Sequence, residues 1–228
     1  MLVDFLTGGV ALLALIFAVG AFSLRWSNMQ RLPLPQERSV PKDSPLRGVL
    51  YSFTLGMAPW VKESARRHWI TYLRGIAFHI GIFAALAALL ASPWFDLVPS
   101  PLRILFAAIT ALGTLAGVGG GLARILERNV KAISTPDDHA AVWLVTLFLA
   151  TMTAALLSTA FVPIMDIVAA VMLVYAPLGK IKHCIYFYFG RLLFGYHIGR
   201  RGIVRGLEER SGLFQPRETL REEVTHGR

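Results

Sequence analysis

The sequence predicts an all-α integral membrane protein, a bundle of five transmembrane helices with its N-terminus outside and its C-terminus cytoplasmic. Three observations predict it. The chain of 228 residues is 55% hydrophobic and only 16% charged, where soluble domains carry about 25% charged residues, and its mean hydropathy is +0.56. Its apolar residues collect in five runs, each near the roughly 20 residues that cross a bilayer, at about 8–24, 75–91, 104–122, 140–163 and 164–189. Its basic residues collect between those runs: nine Lys and Arg from Arg25 to Arg74, three from Arg124 to Lys131 and ten from Lys180 onward, with Arg103 alone in another connection. An excess of Lys and Arg marks the cytoplasmic side, and an odd number of helices puts the termini on opposite faces. The expected setting is the inner (cytoplasmic) membrane, crossed several times.

Each element follows in order. Asp4 and no basic residue precedes the first apolar run, so the run lacks the positive start of a cleavable signal peptide and is expected to stay as a helix. Between Asn28 and Ser44 the prolines Pro33, Pro35 and Pro41, with Pro45 just beyond, fragment any helix, which predicts an extended strap along the membrane surface. An interfacial helix near Ser52–His68 follows, or a simple connecting loop. The second run reaches the short outer connection Ser92–Arg103. In the third, Gly113, Gly117 and Gly121 recur every four residues, a spacing that lets helices approach closely. Thr135-Pro136-Asp137-Asp138 reads as the start of the fourth helix, with Thr135 as cap, Pro136 at the first position and Asp138 three residues after the cap. The fifth run contains Pro177, which removes a backbone donor and bends the chain, and is interrupted by Lys180, Lys182 and His183. Residues 1–199 form the membrane domain and 200–228 a charged cytoplasmic tail.

Composition excludes several classes. A single cysteine, Cys184, rules out a disulfide framework and reads as helix packing. The net charge of +9 is spread over short connections, not gathered in one block, which argues against a nucleic-acid-binding tail.

Two of the six histidines fall inside apolar runs. His79 lies on the second helix and His183 near the inner end of the antiparallel fifth, so both sit toward the cytoplasmic side and can face each other. Two such imidazoles are what a six-coordinate b-type haem requires. Gly75 and Gly179 each stand four residues before a histidine and clear space for a porphyrin edge. The alternative is that each histidine is buried and bonded to a neighbouring helix. Arg74, Lys180 and Lys182 lie at the same level, as partners for haem propionates or as ordinary basic residues at an inner helix end.

Three stretches carry a resemblance. Phe78-His79-Ile80-Gly81-Ile82 resembles the haem-ligand motif on the second helix of the gamma subunit of respiratory nitrate reductase. Pro177-Leu178-Gly179-Lys180-Ile181-Lys182-His183 is similar to that family's fifth-helix pattern. Arg128-Asn129-Val130-Lys131-Ala132-Ile133-Ser134-Thr135 with Asp138 resembles the connection between them. The resemblance implies a membrane cytochrome b that passes electrons between a membrane quinone or quinol and a cytoplasmic iron–sulfur subunit, the final catalytic site lying on another subunit. Related anchors serve heterodisulfide reductase-like and dissimilatory sulfite reductase-associated complexes. The family carries two haems, and His79 and His183 match the inner pair. At the outer pair's positions stand Leu89 and Met165, so one bis-histidine haem b is expected.

His68 and His197 form a second possible pair, but Arg66-Arg67 and Arg200-Arg201 beside them place them at the headgroups. His139, at a helix start, and His226, in the tail, receive no role. A quinone pocket is not visible as a motif, because such sites use scattered apolar residues. The soluble partner is expected on the cytoplasmic face, against Arg25–Arg74 and the tail from Arg200. Two other functions remain: a haem-free anchor that tethers a complex, and a small transporter, for which the outer half of the bundle offers almost no charge.

Overall fold

A computed structural model describes residues 2–33, 37–61 and 67–210, and among these every regular element is helical. In chain order they are α1 (Leu2–Gln30), α2 (Pro45–Phe53), α3 (Trp69–Ala91), α4 (Ser100–Leu126), α5 (Arg128–Ile133), α6 (Pro136–Leu157), α7 (Val162–Leu178), α8 (His183–Arg200) and α9 (Ile203–Arg210). Five stretches are long and apolar enough to cross a membrane: Phe5–Gln30, Trp69–Leu97, Ser100–Leu126, Pro136–Leu157 and Thr159–Leu178. The chain divides into two compact units, Met1–Leu32 with Arg67–Ile185 and Pro33–Arg66 with Tyr186–Arg228.

The first unit is the five-helix bundle. Neighbouring helices pack in the order α1, α7, α6, α4, α3, and α3 also touches α6. Phe148, Leu149 and Met152 of α6 are fully buried and meet Met165 and Ala169 of α7 in the core. On α1 the buried positions Ala11, Ala14 and Ala18 recur three and four residues apart, one helical face, and small side chains there let α7 lie close. Asp166 of α7 is also buried, 3% exposed, and accepts a hydrogen bond of 3.3 Å from the Thr7 hydroxyl. The glycine stripe of α4 serves packing: a Cβ on Gly81 of α3 would stand 2.7 Å from the Gly113 Cα, one on Gly117 2.6 Å from the Phe78 ring, and one on Gly121 2.5 Å from the Trp143 ring.

The helix ends differ from the sequence expectation in two places. The fourth apolar run does not continue to Pro163: α6 stops at Leu157, Ser158 is extended, and Pro163 occupies the first turn of α7, where its missing N–H costs nothing. The fifth run is not one helix to Phe189. Gly179 leaves the helical region at φ −89°, ψ −162°, a 3-10 turn spans Lys180–Lys182, and His183 opens α8. Pro177 therefore sits in the last turn of α7 instead of bending a longer helix. The start of α6 is as expected. The Asp138 carboxylate accepts from both the amide and the hydroxyl of Thr135 at 2.8 Å.

In the second unit the helix after the strap is α2, opened by Pro45 in its first turn, rather than one centred on Ser52–His68; residues 62–66 of that stretch lie outside the described residues. α2 crosses α8 at near backbone contact through Gly48, Gly195 and Gly199. The buried Ser52 hydroxyl donates to the Arg191 carbonyl at 3.0 Å and the Val49 carbonyl at 2.8 Å. The strap is pinned to the end of α8: Lys42 N–H donates to the Arg200 carbonyl at 2.8 Å, Arg200 to the Ser39 carbonyl at 3.1 Å, and Arg201 to Glu37 at 2.6 Å. The Ser39 hydroxyl, with the Arg201 guanidinium and the Ser39 amide, draws the Glu37 carboxyl down to about 2. The tail is helical through Arg210 as α9, and its remainder, 211–228 with His226, lies outside the described residues.

Candidate functional site

Within the bundle a cleft of about 540 Å³ opens between α3, α4, α6 and the turn that follows α7, a size in the range of about 300–1,000 Å³ typical of cofactor sites. α3 contributes Thr71, Arg74, Gly75, Phe78, His79 and Ile82, which recur over intervals of three and four residues and so share one face. α4 adds Gly117, Gly120 and Arg124; α6 adds Asp138, Val142 and Val145; the turn adds Lys180, Ile181 and His183.

Both imidazoles are held alike. His79 Nδ1 lies 2.7 Å from the Gly75 carbonyl oxygen and His183 Nδ1 2.7 Å from the Lys180 carbonyl oxygen. A carbonyl only accepts, so Nδ1 donates on each ring, and Nε2 is the nitrogen that bears the lone pair in that tautomer. This is the arrangement of metal-ligating histidines, whose second nitrogen donates to a backbone or carboxylate oxygen and so fixes the ring. Both side chains are exposed in the chain alone. His79 lies within the apolar stretch Trp69–Leu97 and His183 beyond the last such stretch, Thr159–Leu178, so the cost of an unpartnered imidazole nitrogen in hydrocarbon falls on His79.

The charged groups gather at one end. Lys180 Nζ pairs with Asp138 Oδ2 at 2.6 Å. Arg74 Nη1 donates to the Gly119 carbonyl at 3.3 Å and Arg124 Nη1 to the Gly120 carbonyl at 3.0 Å. Three cations against one carboxylate leave an excess of positive charge beside an otherwise apolar lining. Among the described residues no three His, Cys, Asp or Glu side chains converge on a metal position. Two imidazoles lining one cleft are the groups in it that could ligate a metal centre.

The structure thus brings His79, His183, Gly75, Arg74 and Lys180 to one cleft. It does not bring Gly179 or Lys182. Gly179 is not a helical residue one turn before His183. It caps α7, and a Cβ there would meet the Tyr175 ring at 2.5 Å, so its vacant space is already filled by that ring. At Gly75 a Cβ would meet nothing within 4 Å. Lys182 donates to the Leu178 carbonyl at 3.3 Å, outside the cleft lining. His68 precedes α3 and is exposed, and His197 on α8 has Nδ1 3.5 Å from Glu37 Oε2. Leu89 and Met165 are buried in the core. Sequence reasoning missed Arg124 and the full role of Asp138. Arg124 counted only as a topological marker, yet it stands one turn after Gly120 on the cleft face; Asp138 was recognised as a cap but not as the partner of Lys180.

Comparison with family models, curated proteins and solved structures gives no match to this chain. The fold and the cleft define an all-helical protein with five helices long and apolar enough to cross a membrane, the pattern of a multi-pass membrane protein, with a histidine-bearing cleft inside the bundle.

Proposed function

We propose that this chain is the haem b-binding membrane subunit of a respiratory redox complex, of the kind the nitrate reductase gamma subunit exemplifies, and that it carries electrons between membrane quinone or quinol and a cytoplasmic iron–sulfur subunit. One observation carries the reading: two histidines from separate helical segments line one cleft, each with Nδ1–H committed to a carbonyl and Nε2 left as a ligand. Bound there, haem would supply one-electron chemistry at its iron. The chain supplies the rest. His79 and His183 would ligate, Gly75 leaves room for a flat edge, Phe78, Val142 and Val145 keep the surroundings apolar, and Arg74, Arg124 and Lys180 offer donors to carboxylate substituents. The buried Leu89 and Met165 support a single haem, since the outer half of the bundle is filled by packed side chains.

The first test is spectroscopic. The purified chain should give a b-type reduced-minus-oxidised band and a pyridine haemochrome value of one haem per chain. No band would leave a structural anchor as the better reading, and two haems would overturn the stoichiometry.

The Lys and Arg distribution supports an orientation with the N-terminus and the Ser92–Arg103 connection outside. In a Cys184→Ser background, an impermeant thiol reagent applied outside should label a cysteine placed at Asp96 and leave one at Lys131 unlabelled. The reverse pattern would invert the topology and the side from which the partner reaches the cleft. The basic inner segments suit a soluble partner with an acidic face, which such charge would steer.

A further inference from the structure

The two histidines of the cleft are placed by different means. His79 sits within the unbroken helix α3 and donates to the Gly75 carbonyl of that same helix, so the helix itself fixes the acceptor. His183 donates to the Lys180 carbonyl, which belongs to the three-residue 3-10 turn Lys180–Lys182 between α7 and α8. There the helical ladder is broken. Gly179 is extended, and the bond that would brace the turn from within, Lys182 N–H to the Gly179 carbonyl, is long at 3.4 Å. A short turn with poor hydrogen bonding keeps backbone freedom that something outside it must remove.

The first turn of α6 removes it, at Lys180. Asp138 Oδ2 accepts from Lys180 Nζ at 2.6 Å and, on the same oxygen, from the Thr135 amide and hydroxyl at 2.8 Å each. The cap of α6 and the ion pair thus share one atom, and the cap fixes where that atom stands. Asp137 holds the Tyr175 hydroxyl, which in turn accepts from the Lys180 backbone N–H. Lys180 is therefore held at its side chain by Asp138 and at its N–H by Tyr175, while its carbonyl receives His183. Adjacent carboxylates of one helical turn brace a single residue at two points.

Resting on the haem reading above, we propose that Asp138 is the positioning residue for His183, with Tyr175 as its second brace: through Lys180 they fix the carbonyl that orients the imidazole, and with it the direction of Nε2. The other role open to Lys180 is that of a donor to a haem carboxylate. The two roles predict opposite responses to Asp138→Asn. Positioning predicts weaker haem binding, because the ligand ring is no longer oriented. A donor role alone predicts tighter binding, because the freed ammonium would hold a carboxylate more strongly.

The test uses the full chain in lipid nanodiscs, with nitrogen-15 in its imidazoles, first without haem and then titrated with it. At mildly alkaline pH, where free imidazole is neutral, the His183 resonances, assigned by their loss in His183→Gln, should report the Nδ1–H tautomer. Asp138→Asn, Lys180→Met and Tyr175→Phe should each mix the two tautomers at His183 while His79 keeps Nδ1–H. Lys180→Arg, which preserves the ion pair, should keep the wild-type signal. So should Thr135→Val, which weakens the α6 cap but spares the pair. On titration Asp138→Asn should bind haem about tenfold more weakly, the low end for loss of a group that orients a metal ligand.

A His183 tautomer unchanged in Asp138→Asn and Lys180→Met, haem held as tightly or more tightly by Asp138→Asn, or a Thr135→Val chain that behaves like Asp138→Asn would overturn the proposal. The two readings fail separately. A wild-type chain that binds no haem, but whose His183 tautomer depends on Asp138, overturns the cytochrome reading and keeps the anchor. Wild type and Asp138→Asn that bind haem alike overturn the anchor alone.

Discussion

His79→Ala and His183→Ala are each expected to abolish haem retention. Losing only the hydrogen-bond partner of a ligating histidine costs about 10- to 100-fold in affinity, so losing the ring itself falls beyond that range, and the purified variants should show no b-type band. The comparison variants give the result its meaning. His68→Ala and His197→Ala should keep the full haem content, since neither side chain lines the cleft. Gly75→Ala and Gly179→Ala should part company. At Gly75 the added methyl meets open space, so the apoprotein folds normally and only haem incorporation suffers. At Gly179 the methyl meets the Tyr175 ring, so the damage is to the bundle and appears with or without haem. Retention of haem by either histidine variant, or its loss in the His68 and His197 variants, would sink the assignment of ligands.

Gly48→Ala is expected to cost about 3 kcal/mol or more, at the upper end for an overpacked site. A Cβ at Gly48 would stand 2.5 Å from the Gly199 Cα and closer still to the Gly195 carbonyl oxygen and the Gly199 nitrogen. These are backbone atoms, which cannot rotate away as a side-chain tip can. Gly195→Ala meets the Val49 Cα at 2.5 Å and Gly199→Ala the Ser44 carbonyl at 2.7 Å, so all three should behave alike. For a chain of this size the apparent melting temperature in detergent should fall by about 10 °C. Gly190→Ala and Gly206→Ala, where a Cβ meets nothing within 4 Å, should be neutral or slightly stabilising, because alanine is the better helix former by about 1 kcal/mol. Equal melting of Gly48→Ala and Gly190→Ala would mean that α2 and α8 do not cross as described.

Much of the candidate cleft is legible in the sequence. The histidines stood out because a polar ring in an apolar run has no cheap place to go, and Arg74 and Lys180 because they shared their level. Arg124 was harder to see. Its role depends on α4 turning the face that bears Gly117 and Gly120 toward α3 and α6, and the stripe at Gly113, Gly117 and Gly121 says only that something approaches closely. Gly179 shows the opposite error. Its distance from His183 fits a continuous helix, and only the break after Leu178 reveals that its space belongs to Tyr175.

The sequence by itself determined the five apolar spans, the basic segments between them, the cap at Thr135 and the two histidines. Each of these is a one-dimensional property: partition into a bilayer is decided over about 20 consecutive residues, and a helix start over four. The tertiary structure alone decided which helix faces meet. Gly48 interlocks with Gly195 and Gly199, Tyr175 reaches Asp137, and Lys180 reaches Asp138. These partners lie far apart along the chain, and their pairing follows from close packing of whole helix surfaces, where one Cβ or one hydrogen bond decides the fit.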